Sequence, residues 1–145
     1  MNRKSILKTT LLFVAVCGFF FSSAMAQADI YKKALSAKYP NAQNVEWEAE
    51  DGYMTAEFLG EHSQEVEVWF DMKGNWVRTK TDMLFKHLPE VIKKAYQSSQ
   101  YAKWRIDDID FIEKPTEESI YIIEVEKMEQ EHKLIVSEKG VIFHR

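Results

Sequence analysis

The stretch EVEVWFDMKGNWV, Glu65–Val77, decides how the rest of the chain reads. Val66, Val68 and Phe70 alternate with Glu65, Glu67 and Trp69, the two-residue period of a strand with one face in a core. Lys73-Gly74 then supplies a turn, and residues 75–79 read as a short return strand. A fainter echo, EHKLIVSEKGVIF, occupies Glu131–Phe143, where His132, Leu134 and Val136 alternate ahead of Lys139-Gly140. One small chain therefore carries two units of strand, Lys-Gly turn and strand.

Working outward, each unit is preceded by a helix and a first hairpin. From Asp29, which can cap, Ile30, Tyr31, Ala34, Leu35 and Ala37 recur at helical spacing until Pro40-Asn41. Val45, Trp47 and Ala49 then alternate with Glu46 and Glu48, and Asp51-Gly52 is the strongest hairpin signal in the chain. The return strand sets Met54, Ala56 and Phe58 against Tyr53, Thr55 and Glu57. The second half opens on Leu84, Phe85, Leu88, Ile92, Ala95 and Tyr96, with Pro89 able to start a fresh helical turn. Strands are expected at 104–113, 119–127, 131–137 and 141–144. IKKAY at Ile92–Tyr96 echoes YKKAL at Tyr31–Leu35, an offset of 61 that grows to 66 at the Lys-Gly turns. The expected fold class is α+β: a tandem repeat of helix plus four-stranded antiparallel meander, with the helices packed on one face of the sheet.

The first residues read as an export signal. Arg3, Lys4 and Lys8 lead into the apolar run Leu11–Phe21, and Ala24-Met25-Ala26 is a small-x-small site. The run is shorter than the roughly 20 residues that a bilayer span needs. A leader at 1–26 is expected, cleaved after Ala26 or Ala28, followed by repeat units at 29–80 and 81–145 that together form one compact domain. Cys17, the only cysteine, follows Val16 rather than a small residue, against lipidation at that site. Without the leader, 16 Lys and Arg face 23 Asp and Glu, a net charge of about −7. So acidic a chain without a basic cluster points away from nucleic acid and from anionic membranes. No stable membrane insertion is expected after cleavage, and a periplasmic or secreted location follows.

The alternation also predicts an open sheet face. Val45, Trp47, Phe58, Val68 and Phe70 need helical cover, each large side chain contributing roughly 1.5 to 3 kcal/mol when buried. The opposite face of an antiparallel sheet can remain solvated. It would display Glu46, Glu48, Glu57, Glu65 and Glu67 beside Tyr53, Thr55 and Trp69. Tyr53, Trp69, Glu57, Glu65 and Glu67 are the candidate partner-binding residues, because exposed aromatics bury large areas at interfaces at little entropic cost.

In order and spacing, KYPNAQNVEWEAEDGYMTAEF, EVEVWFDMKGNWVRT, LPEVIKKAY, and SIYIIEVE with KLIVSEKGVIF resemble the PepSY-like proteins exported by Bacteroidetes, described as having a beta-lactamase-inhibitor-protein-like fold. The most family-like residues are Tyr39-Pro40, Trp47, Phe58, Phe70-Asp71 with Gly74, and Leu88-Pro89. The resemblance implies tandem helix-plus-sheet repeats, a concave sheet surface and an exported setting. It implies no established activity, and only as a class of role the restraint of a peptidase.

Chemistry-bearing constellations are sparse. His62, His87, His132 and His144 lack the paired spacing that zinc ligands show, so no metal is expected. DDID at Asp107–Asp110 lacks the glycine-bearing turn of a calcium loop and reads as a solvated strand face or edge. No G-x-S-x-G elbow and no G-x-G phosphate loop is present. The expectation is a noncatalytic module without cofactor that binds a protein or peptide, with inhibition of a peptidase or other envelope enzyme as its use. The alternative is a small-molecule or cation-binding protein, with carboxylates supplying charge and Trp69 a cation-π surface.

Overall fold

The computed structural model describes the backbone of residues 21–143 and the side chains of residues 29–143. The expected leader therefore falls outside the described residues over 1–20, as do His144 and Arg145. Helix α1 runs Phe21–Lys38, starting before the Asp29 expected and passing through both expected cleavage positions. Ala24, Met25 and Ala26 are strong helix formers, which accounts for the earlier start. At its end Tyr39 N–H still donates to Leu35 O at 2.7 Å, and Pro40 has no N–H with which to continue.

Strands β1, Glu46–Glu50, and β2, Tyr53–Leu59, meet at Asp51-Gly52, whose φ values of 49° and 81° are those of a type I′ hairpin turn. Next come β3, Glu65–Asp71, and β4, Trp76–Asp82. A 3-10 turn, Phe85–His87, then leads to α2, Glu90–Ser98, with Pro89 capping its start in an extended conformation. Strands β5, Arg105–Glu113, β6, Ile120–Lys127, β7, Gln130–Ser137, and β8, Ile142–Phe143, complete the chain. All eight form one antiparallel sheet in chain order. The junction is β4 on β5, with Thr79 to Asp82 opposite Glu113 to Asp110. β4 is longer than the 75–79 expected because Arg78, Lys80 and Asp82 sustain the alternation and β5 supplies partners as far as Asp82.

Two cores lie on one side of this sheet. Tyr31 and Leu35 of α1 pack on Ala56, Phe58, Val68 and Phe70. Ile92 and Tyr96 of α2 pack on Ile109, Ile123, Leu134 and Val136. The helix residues correspond at the offset of 61. Each helix also seats one residue on a Lys-Gly turn, where an added Cβ would lie 2.1 Å from Ile30 Cγ2 at Gly74 and 2.7 Å from Val91 Cγ2 at Gly140. The turns themselves match. Asp71 Oδ1 accepts from the N–H groups of Lys73 and Asn75, and Ser137 Oγ accepts from those of Lys139 and Val141. Both glycines have positive φ, +82° and +79°, where a side chain is strained.

Candidate functional site

Every sheet residue in the two cores points to the helix side, and among the described residues no helix or strand covers the other side. On that open face the register aligns residues in rows. Glu46, Glu57 and Glu67 stand opposite one another on β1, β2 and β3, and the row continues to Lys80 on β4. A neighbouring row runs Glu48, Thr55, Trp69, Arg78. Tyr53 sits between Glu50 and Asp71 and is 41% exposed.

The five candidate residues thus share one face in two groups. Tyr53 and Trp69 line a shallow depression of about 420 Å³ with Glu50 and Arg78. The sheet is irregular between Trp69 and Phe70, but the unpaired residue is Val77 of β4, so Trp69 keeps its outward side. Its ring is half-buried under the Arg78 guanidinium, 3.9 Å from the centroid. Such a cation-π contact contributes about 0.5 to 1 kcal/mol at an exposed site. Glu57, Glu65 and Glu67 form the second group. Burial, and then the negative charges of Glu57, Asp82 and Glu67, push the Glu65 carboxyl upward, against a smaller downward pull from Lys80.

Sequence reasoning missed two parts of this face. The first is an ion cluster around Lys80, whose Nζ lies 3.6 Å from Glu67 Oε1, 3.4 Å from Asp82 Oδ1 and 3.5 Å from Asp110 Oδ1. Burial opposes the Lys80 charge, but Asp110, Asp82 and Glu67 together hold the ammonium above its usual range. Asp110 is only 13% exposed and lies inside the sheet, so the DDID stretch is neither an edge nor fully solvated. Burial raises the Asp110 carboxyl to about 6, Lys80 offsetting part of the rise and Asp108 and Asp82 adding to it. The second is apolar: Ile112, Ile120, Ile122, Ile135 and Phe143 also point to the open side. The signals were present, as alternating charges in WVRTKTD and as isoleucines at 120 and 122 alternating with the core positions 121 and 123.

On the helix side, a polar knot ties α1 to the β4–β5 junction. The Tyr39 hydroxyl lies 3.1 Å from Thr79 Oγ1 and 3.4 Å from Glu113 Oε2, and Trp76 Nε1 donates to Thr79 Oγ1 at 3.0 Å. Burial carries the Tyr39 hydroxyl up to about 12, the Thr79 hydrogen bond pulling down and Glu113 pushing up. Lys38 Nζ completes the knot, 3.4 Å from Glu113 and 3.9 Å from the Trp76 ring centroid. A groove of about 500 Å³ beside it is lined by Tyr39, Phe58, Val66, Thr81, Phe111 and Glu113. The three described histidines do not converge: His62 meets His87 ring to ring at 4.7 Å, while His132 stacks on Tyr101 at 4.2 Å. Among the described residues no three of His, Cys, Asp and Glu come together as metal ligands, and no helix is long and apolar enough to cross a membrane.

Known proteins place this architecture. A BLIP-like protein from Bacteroides fragilis superposes with a TM-score of 0.75 at 32% identity, over 80% of this chain and 82% of that one. A DUF2874 family protein from Bacteroides ovatus gives a TM-score of 0.72 at 28% identity, over 79% and 83%. A Bacteroides eggerthii chain described as "putative periplasmic proteins" shares the fold, with a TM-score of 0.71 at 24% identity over 80% and 85%. No curated protein matches the chain. The family model described as "Putative beta-lactamase-inhibitor-like, PepSY-like" matches residues 52–144, well over half of the sequence, and the chain belongs to that PepSY-like family.

Proposed function

We propose that this protein is an exported, noncatalytic binding module that recognises a protein or peptide through the open face of its sheet. The observation that carries the reading is the placement of Tyr53 and Trp69 beside the row Glu46, Glu57 and Glu67, on a side that neither helix covers. An antiparallel sheet can show water one polar face, but solubility does not call for two aromatic rings there. Restraint of a peptidase or other envelope enzyme is the form of binding favoured by the inhibitor-like description of the family. Export rests on the leader-like first 26 residues and on the periplasmic description of the eggerthii relative.

We also read residues 29–80 and 81–145 as two copies of one helix-plus-meander unit. The pairs Ile30/Val91, Tyr31/Ile92 and Leu35/Tyr96 and the matched turns at Gly74 and Gly140 support that reading. A carrier of organic cations is the weaker alternative, because Arg78 already occupies the ring of Trp69.

A pull-down from periplasmic extract with wild type and a Tyr53→Ala, Trp69→Ala double variant tests the face. The expected outcome is loss of the captured partners with the variant. Equal recovery would overturn the reading.

A further inference from the structure

The open face changes character along its width. One row crosses six strands as Glu46, Glu57, Glu67, Lys80, Ile112 and Ile120. The next runs Asp82, Asp110, Ile122, Ile135 and Phe143 over β4 to β8. The β1–β3 end is acidic, the Lys80 cluster stands in the middle, and an apolar patch of Ile112, Ile120, Ile122, Ile135 and Phe143 follows on β5–β8, bordered by the charged row Asp108, Glu124 and Lys133. With strands spaced about 4.8 Å apart, the first row spans about 24 Å. The isoleucines belong to neither helix-side core, and Phe143 is 44% exposed.

Resting on the open-face reading, we infer that the partner segment is a cationic amphipathic one, basic at the end that lies on β1–β3 and aliphatic at the end that lies on β5–β8. Charge complementarity chooses the occupant. Glu57 and Glu67 stand directly opposite one another, a like-charge pairing that costs stability in a sheet; Lys80 already lies 3.6 Å from Glu67, so a basic partner would act chiefly on Glu46 and Glu57. An anionic membrane would meet the acidic half unfavourably. A second copy of this chain related by a two-fold axis could match only the aliphatic half to itself. A helix of about 16 residues covers 24 Å, and helices laid in grooves are an established mode of peptide recognition.

The probe is a labelled 16-residue helical peptide with lysines on its first two turns and leucines on its last two, followed by fluorescence anisotropy. Its counterpart carries glutamates in place of the lysines. Wild type should bind the lysine peptide at least tenfold more tightly than does a Glu57→Gln, Glu65→Gln, Glu67→Gln variant, with that advantage shrinking as salt rises. An Ile122→Ser, Ile135→Ser variant should lose a similar factor while keeping the salt dependence. Circular dichroism melts establish that both variants are folded. Equal binding by all three proteins, or equal binding of the glutamate peptide, overturns the inference. So does a wild-type dimer in sedimentation that the serine variant dissolves, since a second copy would then cover the patch. A natural partner lost with Tyr53→Ala, Trp69→Ala but held equally by the glutamine and serine variants would sink the polarity alone and leave the open-face reading standing.

Discussion

The first half of the molecule, α1 with β1–β4, and the second, α2 with β5–β8, each seat a helix residue on a Lys-Gly turn and differ in what else they carry. Position 31 of α1 is a tyrosine whose ring meets Trp47 at 6.4 Å and Phe70 at 6.2 Å; its counterpart on α2 is Ile92, set among isoleucine and valine. The open face diverges in the same way, from carboxylates and aromatics on β1–β3 to isoleucines on β5–β8. Turn chemistry and helix seating are the constrained features here. The cores differ in composition because different hydrophobic sets of similar volume can fill such spaces, and the solvent-facing rows lie outside both cores.

The largest expected effect is at those two turns. Gly74→Ala and Gly140→Ala should each cost about 2 kcal/mol in urea unfolding, combining a left-handed backbone with a close contact. The two should respond differently to relief. Ile30→Ala should recover part of the loss at Gly74, where the blocking atom belongs to a half-exposed side chain. Val91→Ala should recover less at Gly140, because the Val91 carbonyl oxygen remains 3.1 Å from the new methyl. Equal rescue would mean that the backbone contact at Gly140 does not set the two seats apart.

A smaller effect concerns charge where the halves meet. The folded Asp110 carboxyl sits at about 6, above its ordinary 3.8. Its contribution to stability is therefore complete below about pH 3.8 and is lost as pH rises through 6. Asp110→Asn should leave stability nearly unchanged at pH 4 and raise it by about 1 kcal/mol at pH 7.5, after discounting the full shift for solvent screening. Urea midpoints at the two pH values measure this. A loss at pH 7.5 would show that Lys80 depends on Asp110 more than on Glu67 and Asp82.

The smallest effect separates two buried tyrosines. Among the described residues the Tyr31 hydroxyl has no hydrogen-bond partner, while the Tyr96 hydroxyl donates to Trp104 O at 2.8 Å. Tyr96→Phe should cost about 1 kcal/mol and Tyr31→Phe should be neutral or slightly stabilising. Thermal melts of both variants compare them directly, and a cost at Tyr31 equal to that at Tyr96 would contradict the contrast.

Local pattern carried the fold most of the way. Asp51-Gly52, the Lys-Gly turns and the alternation through β2, β3 and β6 are properties of neighbouring residues, so they are legible without coordinates. The pairing of Thr79 with Glu113 is not, because the choice of β5 as the neighbour of β4 is made by tertiary packing across the α2 connection. The open face was legible in part for the same reason. Parity along β2 and β3 identified Tyr53, Glu57, Glu65, Glu67 and Trp69 as facing one way. That Arg78 would settle on Trp69, or that Lys80 would gather carboxylates from β3, β4 and β5, depends on which strands lie side by side. Nothing local marks the isoleucines as a surface feature, since β-branched residues are common in strands whichever way they point.

The sheet order also bears on how the molecule assembles. Because every strand lies beside its predecessor in the chain, most rungs can close soon after the residues are in reach, and low sequence separation favours rapid folding. The exception is the single join that must wait for the excursion from 83 to 104 to return. That join should form last, fusing two already zippered ribbons into one.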